Sequence, residues 1–502
     1  MHIAPALGHG ISLRQVLPAA EFIGADDICV TGCSCDSRQI GVGQVFAALA
    51  GVCQEGLQFV SEAAARGAVA VLADRPVADS PVPLCLVPDA REAYGRLCQA
   101  LAGEPCQRLK VIGVTGTNGK TTTSCLIASV LSTAGYRPGL LGTIACFDGQ
   151  HTVPSSHTTP PAHELATWLG RMVTNGCSHA VMEVSSHALD QQRVAGMSFD
   201  AACVTNVRRD HLDYHESLLA YRRTKAKLFQ HLAPEGFAVI NADDPVASGY
   251  LQYIDGPVLT VGIDQPAEIS AILLERHLSE QTFLLAAGSE VSVVRTRMIG
   301  LHHVSNCLVA AALGLAYGIE LPQVVRGLEA VDSVPGRLER LDCGQPFGVF
   351  VDYAHTPDAL TSVLQTLRHV TRGRLICVFG AGGQRDQQKR PLMAQAVEAQ
   401  ADKAIVTTDN PRCEDPQAIA EEVLAGFSSR ASVRHVPDRT EAIALALSEA
   451  RAGDCVLIAG KGHEQHQIVG DRQIPFDDRE VARRWLYEFL PAEAKPQGPF
   501  FG

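Results

Sequence analysis

The stretch GVTGTNGKTT, at residues 113–122, limits the possible folds of this 502-residue chain more than any other stretch does. It follows the apolar run LKVI and precedes apolar residues at helical spacing, which is the pattern of a buried strand, a tight turn and a helix. Glycines at 113, 116 and 119 allow backbone amides to turn toward phosphate oxygens. Lys120 can then bring a positive charge to the β and γ phosphates of a nucleotide, and Thr121 a hydroxyl to Mg²⁺. We therefore predict a nucleotide-binding loop, with a purely structural glycine turn as the alternative.

Strand-like apolar runs recur after this loop and again in the last third of the chain. The runs HAVMEV, DAACVTN and GFAVIN follow the loop, and FGVFVDYAH, LICVFGAGG, KAIVTTDN and DCVLIAGKGHE follow the segment VDSVPGRLERL. Strands that alternate with helices form mostly parallel sheets, which bind ligands at the carboxyl ends of their strands. We predict a three-domain α/β fold: a small N-terminal α/β domain at 1–108, a central doubly wound P-loop domain at 109–336 and a C-terminal Rossmann-like domain at 337–502.

The composition is that of a globular protein, with 46% hydrophobic and 19% charged residues and a net charge of −12. This charge gives no sign of a nucleic-acid or anionic-membrane partner, and an anionic substrate would need basic residues close to it. None of the 16 cysteines belongs to a C-x-x-C pair, so free thiols in a reducing compartment are expected. The amino terminus lacks the pattern of a signal peptide, and the apolar run 307–319 is shorter than the roughly 18 residues of a membrane span. We expect a soluble cytoplasmic monomer.

Two clusters of polar residues follow strands of the predicted central domain. The stretch MEVSSHALDQQRV, at 182–194, contains Glu183 and His187, and TNVRRDHLDYH, at 205–215, contains Asp210 and His211. Either histidine alone would more often be a surface or core residue. Two such clusters beside a phosphate loop instead favour a site for Mg²⁺, which carboxylates and nucleotide phosphates hold. Downstream, YRRTKAKLF contains Lys225, for which spacing alone predicts a solvated position on a helix.

The motifs GVTGTNGKTTT, MEVSSHALDQQRV, TNVRRDHLDYH, YRRTKAKLF, DYAHTPDAL, GGQRDQQKRPLM, DNPRCEDP and GKGHE follow one another in this order, and together they resemble the Mur ligases of peptidoglycan synthesis. The loop of that family has the same G-x-x-G-x-x-G-K-T-T spacing, with Val114 where a common P-loop has its first glycine. The resemblance extends to the first domain, where CDSRQIGVGQVFAALAG is similar to the family's uridine-nucleotide-binding segment. It implies that the chain uses ATP to phosphorylate a carboxylate and then joins the acyl phosphate to an amine. Within the family it implies the addition of meso-2,6-diaminopimelate to UDP-N-acetylmuramoyl-L-alanyl-D-glutamate, in cytoplasmic peptidoglycan precursor synthesis.

The resemblance also implies roles for individual residues. Lys120, Glu183, His211 and Lys225 are expected to be catalytic, and Thr121, Glu183, His211 and Lys225 to hold Mg²⁺. Lys225 matches a lysine that the family carbamylates, which turns a cation into an anion able to hold a metal. The residues expected around ATP are Gly116, Thr117, Asn118, Gly119, Lys120, Thr121, Thr122, Asn306, Arg337 and Asp352. Those expected to bind the UDP-muramoyl dipeptide are Ser37, Thr158, Thr159, Ser185, Gln191 and Arg193.

The stretch TTDNPRCEDP, at 407–416, follows the apolar run AIV and on its own indicates a polar turn before a helix. In the Mur ligases the loop at this place selects the incoming amino acid. The Arg412 guanidinium is then expected to bind the distal carboxylate of diaminopimelate through two hydrogen bonds, whereas L-lysine has no such carboxylate. Glu464 suits the distal ammonium. The residues expected to contact diaminopimelate are Arg385, Asp409, Asn410, Pro411, Arg412, Gly460 and Glu464.

Two departures from the family pattern and three alternatives accompany this interpretation. Val207 and Arg208 replace the Leu and Ser that are more usual in the TNVRRDH stretch, and Cys53 and Gln54 have no assignable part in the uridine site. The alternatives are the same ligase with L-lysine as acceptor, folylpolyglutamate synthetase, and a catalytically idle nucleotide-binding scaffold. Arg412 disfavours L-lysine, and the uridine-type first domain disfavours the folate enzyme. The presence of all four catalytic residues disfavours the scaffold.

Overall fold

The computed structural model of the protein describes residues 10–51 and 55–489, so that Cys53 and Gln54 lie outside the described part of the chain. Its main sheets have five, eleven and six strands, and they follow one another along the chain. The predicted three-domain α/β architecture is thereby confirmed, while the limits and ligands of each domain stay predictions. Within the described ranges, no helix is both long enough and apolar enough to cross a membrane.

The N-terminal domain is a five-stranded sheet with helices packed against it and a two-stranded sheet beside it. Its elements are β1 (Ile11–Ser12), α1 (Leu13–Val16), β2 (Glu21–Ile23), β3 (Cys29–Val30), β4 (Gly32–Ser34), β5 (Gln44–Ala47), α2 (Val60–Ala65), β6 (Ala68–Ala73), β7 (Leu84–Leu86) and α3 (Ala90–Leu101), with 3-10 helices at Ser37–Gln39, Gly56–Phe59 and Pro105–Gln107. The strand order is β2-β7-β6-β5-β4, and the β2–β7 pair is antiparallel while the other pairs are parallel. Ser37 therefore lies in the crossover from β4 to β5.

The central domain carries the predicted nucleotide loop between its first strand and first helix. Its elements are β8 (Lys110–Thr115), α4 (Lys120–Thr133), β9 (Pro138–Leu141), β10 (Ala145–Phe147), β11 (Thr152–Pro154), α5 (Ala162–Thr174), β12 (His179–Glu183), α6 (Ser186–Asp190), β13 (Phe199–Val204), α7 (Leu212–His215), α8 (Leu218–Ala226), β14 (Leu232–Asn241), α9 (Pro245–Ser248), β15 (Val258–Gly262), β16 (Ile269–Arg276), β17 (Gln281–Ala287), β18 (Glu290–Thr296), α10 (Leu301–Ala316) and α11 (Leu321–Glu329), with 3-10 helices at Lys227–His231 and Gly249–Tyr253.

The strands of the central sheet run in the order β11-β10-β9-β12-β8-β13-β14-β15-β16-β17-β18. The strands from β9 to β16 in this order are parallel, and β8 and β12 are buried on both faces, which explains their unbroken apolar sequences. Helices α4 and α10 pack together against one face, and α5 covers the other. The carboxyl ends of β8, β12 and β13 therefore meet at one edge, where the predicted polar clusters lie.

The far end of this sheet is an antiparallel meander that the sequence analysis did not anticipate. Strands β16, β17 and β18 pair antiparallel in consecutive order. Buried and partly exposed residues alternate along most of β17, because one face of the meander packs on the core and the other meets solvent. The prediction of a largely parallel sheet thus holds for the part that carries the nucleotide loop.

The C-terminal domain is built around the sheet β19-β20-β24-β21-β22-β23, which is parallel except at the β19–β20 pair. Its elements are β19 (Glu339–Arg340), β20 (Gly348–Asp352), α12 (Pro357–Val370), β21 (Leu375–Phe379), α13 (Lys389–Glu398), β22 (Lys403–Val406), α14 (Pro416–Leu424), β23 (Val433–His435), α15 (Arg439–Glu449), β24 (Cys455–Ala459), β25 (His466–Val469), β26 (Arg472–Pro475) and α16 (Asp478–Phe489). The loops that follow β20, β21, β22 and β24 leave the same edge of the sheet. They contain the sequences DYAH, GAGGQRD, TTDNPRCE and GKGHE.

Candidate active site

The loop between β8 and α4 has the backbone of a phosphate-binding turn. Gly119 has φ +85° and immediately precedes the helix, so that the amides of the first turn of α4 remain free for an anion. A Cβ at Gly119 would collide with Asn306 Oδ1, which explains the glycine there. The segment that follows β13 holds this loop in place. The Asn118 amide donates to Asn206 Oδ1 at 3.1 Å, and Thr205 Oγ1 donates to the Asn118 carbonyl at 2.6 Å.

Two lysines share a carbonyl of this loop. Lys120 Nζ donates to the Gly116 carbonyl at 2.8 Å and to the Thr117 carbonyl at 2.9 Å, and Lys225 Nζ donates to the same Gly116 oxygen at 2.8 Å. Lys225 is buried and its ammonium lies 4.8 Å from the centre of the Tyr221 ring, so the solvated position that spacing alone predicted is wrong. Burial, assisted by the neighbouring Lys120, holds the pKa of Lys225 well below its ordinary value, and burial also lowers the pKa of Lys120.

Glu183 places a carboxylate beside the first turn of α4. Thr121 Oγ1 donates to its Oε2 at 3.1 Å, and the amide and hydroxyl of Thr143 donate to it at 2.7 and 2.9 Å. Arg337, from the junction with the C-terminal domain, donates to Thr121 Oγ1 at 3.0 Å. A carboxylate next to a hydroxyl at a phosphate loop is a donor set that fits Mg²⁺. The described residues contain no group of three His, Cys, Asp or Glu side chains arranged for a metal, so phosphate oxygens would have to complete its ligands.

His211 lies at the start of α7 with φ +52°, in a group of rings. Its ring centre is 4.8 Å from that of His187 and 6.3 Å from that of Tyr221, and its Nε2 is 3.5 Å from Asp210 Oδ2. Burial lowers the pKa of His211 to about 3, against the opposing effect of Asp210. The imidazole is therefore neutral at neutral pH, which is the form that binds metals.

Four of the six residues predicted to bind the UDP-muramoyl dipeptide form one network. Arg193 donates to the Thr159 carbonyl at 2.7 Å and to Gln191 Oε1 at 2.8 Å, and Thr159 Oγ1 donates to the Glu183 carbonyl at 2.9 Å. Ser185, which caps α6, donates its amide to Thr159 Oγ1 at 3.0 Å. The remaining two have other partners: Thr158 Oγ1 is hydrogen-bonded to Thr143 Oγ1 at 3.1 Å, and Ser37 donates to Glu62 Oε2 at 2.9 Å within the N-terminal domain.

A cavity of about 100 Å³, here called the loop cavity, adjoins the nucleotide loop. The predicted nucleotide residues that line it are Asn118, Gly119, Thr122, Asn306, Arg337 and Asp352. His302, His303, Tyr353 and His355 also line it, and the Arg337 guanidinium lies 4.7 Å from the centre of the Tyr353 ring. The Asp352 carboxylate accepts the amides of Leu338 at 2.6 Å and Ala354 at 2.7 Å, so it fixes the domain junction.

A second cavity of about 240 Å³, here called the interdomain cavity, lies between the central and C-terminal domains. The predicted acceptor residues that line it are Arg385, Asp409, Asn410, Arg412, Gly460 and Glu464, whereas Pro411 is not among its lining residues. Its other charged residues include Arg209, Asp210, Asp386 and Lys389. The cavity thus offers several cations and several carboxylates to one ligand, as a zwitterion with two charges of each sign requires.

The loop that contains DNPR is held in shape by its neighbours. Asn410 Nδ2 donates to Glu464 Oε2 at 2.8 Å, and the buried Lys461 donates to Asn410 Oδ1 at 3.1 Å and to Glu464 Oε2 at 2.8 Å. Arg412 has φ +52°, and its backbone pairs with the β25–β26 hairpin. Arg412 Nη1 donates to the Gly383 carbonyl at 2.8 Å, which leaves Nε and Nη2 without a protein partner among the described residues.

Several residues of these sites were not singled out from the sequence. Lys461 and His355 lie in the quoted stretches GKGHE and DYAHTPDAL, so those motifs were the available signal. Arg390 lies in the quoted stretch GGQRDQQKRPLM; it is buried and donates to Glu414 at 2.7 Å and to Glu422 at 2.9 Å, which ties α13 to the loop after β22. Thr143, which holds Glu183, lies in a stretch without a recognisable motif.

Comparisons with known proteins match nearly the whole chain to ligases of one family. The chain matches two family models, the Mur ligase middle domain at residues 114–314 and the Mur ligase, glutamate ligase domain at residues 336–462. A curated protein of Geobacillus thermodenitrificans named "UDP-N-acetylmuramoyl-L-alanyl-D-glutamate--2,6-diaminopimelate ligase" is 44% identical over 460 residues, which are 90% of this chain and 94% of that protein. A solved structure of a ligase with the same name is 34% identical with a TM-score of 0.68, and covers 95% of this chain and 99% of its own. A folylpolyglutamate synthase of Mycobacterium tuberculosis is 22% identical with a TM-score of 0.62, over 80% of this chain and 95% of its own, and shares the fold alone.

Proposed function

The chain belongs to the Mur ligase family, and from this membership we propose that it adds meso-2,6-diaminopimelate to UDP-N-acetylmuramoyl-L-alanyl-D-glutamate, with ATP as the source of energy. The family recognition drawn from the sequence motifs is confirmed. The observation that carries the choice of acceptor is the interdomain cavity, which Arg412 and Arg385 line together with Asp409 and Glu464. Diaminopimelate has two carboxylates and two ammonium groups, whereas L-lysine would leave one guanidinium without a carboxylate.

The first step is phosphorylation of the free carboxylate of the bound D-glutamyl residue. The amides at the start of α4 and the Lys120 ammonium would hold the phosphates of ATP for attack by that carboxylate. Thr121, Glu183, His211 and a carbamylated Lys225 would hold Mg²⁺, which neutralises charge on the transferring phosphoryl group when it is bound. The products are an acyl phosphate and ADP.

Carbamylation of Lys225 is supported by its surroundings. Only the neutral amine attacks CO₂, and burial together with Lys120 favours the neutral form of Lys225. The resulting carbamate places an anion beside the Lys120 ammonium. It also removes the repulsion that an ammonium at Lys225 would have with Lys120, since both Nζ atoms lie 2.8 Å from the Gly116 carbonyl oxygen.

The second step joins the acceptor amine to the activated carbonyl. The amine nitrogen forms a bond to the acyl carbon, and the tetrahedral intermediate releases phosphate as the amide forms. Arg412 and Arg385 would bind carboxylates of diaminopimelate, and Glu464, held by Asn410 and Lys461, would bind its distal ammonium. Thr159, Ser185, Gln191 and Arg193, with Ser37 and Thr158, would bind the UDP-muramoyl dipeptide.

Each domain would bind one ligand. The N-terminal domain (1–108) would bind the uridine part of the substrate, the central domain (109–336) would bind ATP, and the C-terminal domain (337–502) would bind the amino acid. The substrates are small molecules made and used in the cytoplasm, so we infer a cytoplasmic enzyme that acts as a monomer without nucleic-acid or membrane partners.

The test is phosphate release from ATP with Mg²⁺ and the UDP-muramoyl dipeptide, with meso-diaminopimelate and L-lysine offered in parallel. Turnover with diaminopimelate alone is expected. Turnover with L-lysine would refute the role given to Arg412, and turnover with a folate substrate instead would refute the proposed function.

A further inference from the structure

His355 occupies the place where the two cavities of the site meet. It follows β20 in the DYAH loop, and its ring centre lies 4.7 Å from that of Tyr353. Among the described residues that line the loop cavity and the interdomain cavity, Tyr353 and His355 are the two that line both. The imidazole therefore lies between the residues predicted to bind ATP and those predicted to bind the incoming amino acid.

A hydrogen bond to the backbone fixes which ring nitrogen of His355 carries the proton. Its Nδ1 is 2.8 Å from the Tyr353 carbonyl oxygen, which can only accept, so Nδ1 is the donor. In the neutral ring the lone pair is then on Nε2, for which no described residue provides a hydrogen bond. Burial and the Lys389 ammonium lower the pKa of His355 below its ordinary value, against Asp210 and Asp409, so the ring is neutral at pH 7.

The second step of the reaction requires a base at this place. The acceptor amino acid arrives with its amine as an ammonium ion, which has no lone pair and cannot attack an acyl phosphate. The neutral imidazole of His355 suits this task because its Nε2 lone pair has no protein partner among the described residues and the ring lines the cavity of the predicted acceptor residues.

We propose that His355 is the general base that removes a proton from the ammonium of the incoming amino acid. The assignment rests on the proposed ligase function. The proton passes to Nε2, which gives an imidazolium and a neutral amine. The amine nitrogen then bonds to the acyl carbon and the carbon–oxygen bond to phosphate breaks, with its electron pair leaving on the phosphate. The nitrogen loses its remaining extra proton to that phosphate, and the imidazolium returns its proton to solvent.

The test compares two nucleophiles in His355→Asn and His355→Gln variants. Hydroxylamine is largely unprotonated at neutral pH, so it traps the acyl phosphate as a hydroxamate without needing a base. We expect kcat with diaminopimelate to fall by about 10² to 10⁴ in both variants, the range for loss of a general base, while hydroxamate formation at saturating ATP stays within about twofold. Loss of hydroxamate formation to the same extent in both variants would show a structural role and overturn the inference, as would unchanged turnover with diaminopimelate.

The pH profile and a matched variant complete the experiment. Without the base, turnover with diaminopimelate should rise about tenfold per pH unit above pH 7 as the free amine becomes more abundant, whereas the wild type should be nearly flat there. A variant profile as flat as the wild type would contradict the proposal.

His369 is the control, because its Nδ1 also donates to a backbone carbonyl, that of Gln365 at 2.7 Å, but it is exposed and lines neither cavity. His369→Asn should behave as the wild type. If the wild type forms neither amide nor hydroxamate, the proposed function fails rather than this inference.

Discussion

Replacing Arg412 by Ala tests the selection of the acceptor most directly. In the structure Arg412 Nη1 is already used by the Gly383 carbonyl at 2.8 Å, so Nε and Nη2 are the donors left for a ligand carboxylate. Two charge-assisted hydrogen bonds contribute about 3 kcal/mol together at the lower end of their usual range, which corresponds to about a hundredfold in affinity. We therefore expect Arg412→Ala to raise the KM for diaminopimelate about a hundredfold and to leave the KM of ATP unchanged.

The assay is steady-state phosphate release with diaminopimelate and with L-lysine as acceptors. Because L-lysine has no distal carboxylate, the variant should lose much of the wild-type preference between the two amino acids. Arg412→Lys keeps the charge but lacks the planar pair of donors, so it should recover only part of the affinity. Cys413→Ser, an exposed neighbour in the same loop, is the control and should match the wild type. Unchanged kinetics with diaminopimelate in Arg412→Ala would refute the reasoning.

Three further predictions follow from the central and C-terminal domains. Glu183→Gln keeps the shape of the side chain but removes its charge, so ADP formation should fall by about 10² to 10³. Calorimetry should show unchanged binding of the UDP-muramoyl dipeptide. Activity above a tenth of wild type would contradict the metal-binding role. If Lys225 is carbamylated, turnover should fall in CO₂-depleted buffer and return when bicarbonate is added, and Lys225→Gln should be inactive at every bicarbonate concentration. Gly460 has φ +116° and a Cβ there would collide with Asp409 Oδ2, so Gly460→Ala should raise the KM for diaminopimelate and lower Tm. The control is Gly453→Ala, at φ +85° with open space around it, which should lower only Tm. Equal KM values in the two variants would exclude a steric effect on the site.

The parts of the fold that could be predicted from sequence are those in which one physical constraint dominates. Strands β8 and β12 are buried on both faces, so their sequences are continuously apolar and their ends are marked by glycine or polar residues. The meander β16–β18 was missed because only one face is buried, and Ile272 and Val293 on the other face are exposed apolar residues that obscure the alternation. Sheet order and strand direction at that end depend on packing against α10 and α11, which no local pattern contains.

The same limit applies to the site. Strand-end loops with charged residues predicted which segments converge, and six of the seven residues proposed for the acceptor line one cavity. Sequence could not tell which side chains of a loop turn inward. In GKGHE the positive φ angles of Gly460 and Gly462 turn Lys461 toward Asn410, where it is buried, although a lysine is usually solvated. The roles predicted for the site residues stay predictions, including that of Ser37, whose hydroxyl is bonded to Glu62.

The distribution of charge explains why the reaction needs both domains in contact. The chain has a net charge of −12, yet its substrates are a triphosphate, a diphosphate sugar with a free carboxylate, and a dicarboxylic amino acid. Local cations must therefore overcome the overall field. Lys120 comes from the central domain and Arg385 and Arg412 from the C-terminal domain, while Arg337 at the junction contacts both Thr121 and Tyr353. Neither domain alone offers cations to both the phosphates and the amino acid, so we expect the reaction to take place where the carboxyl edges of the two sheets face one cavity.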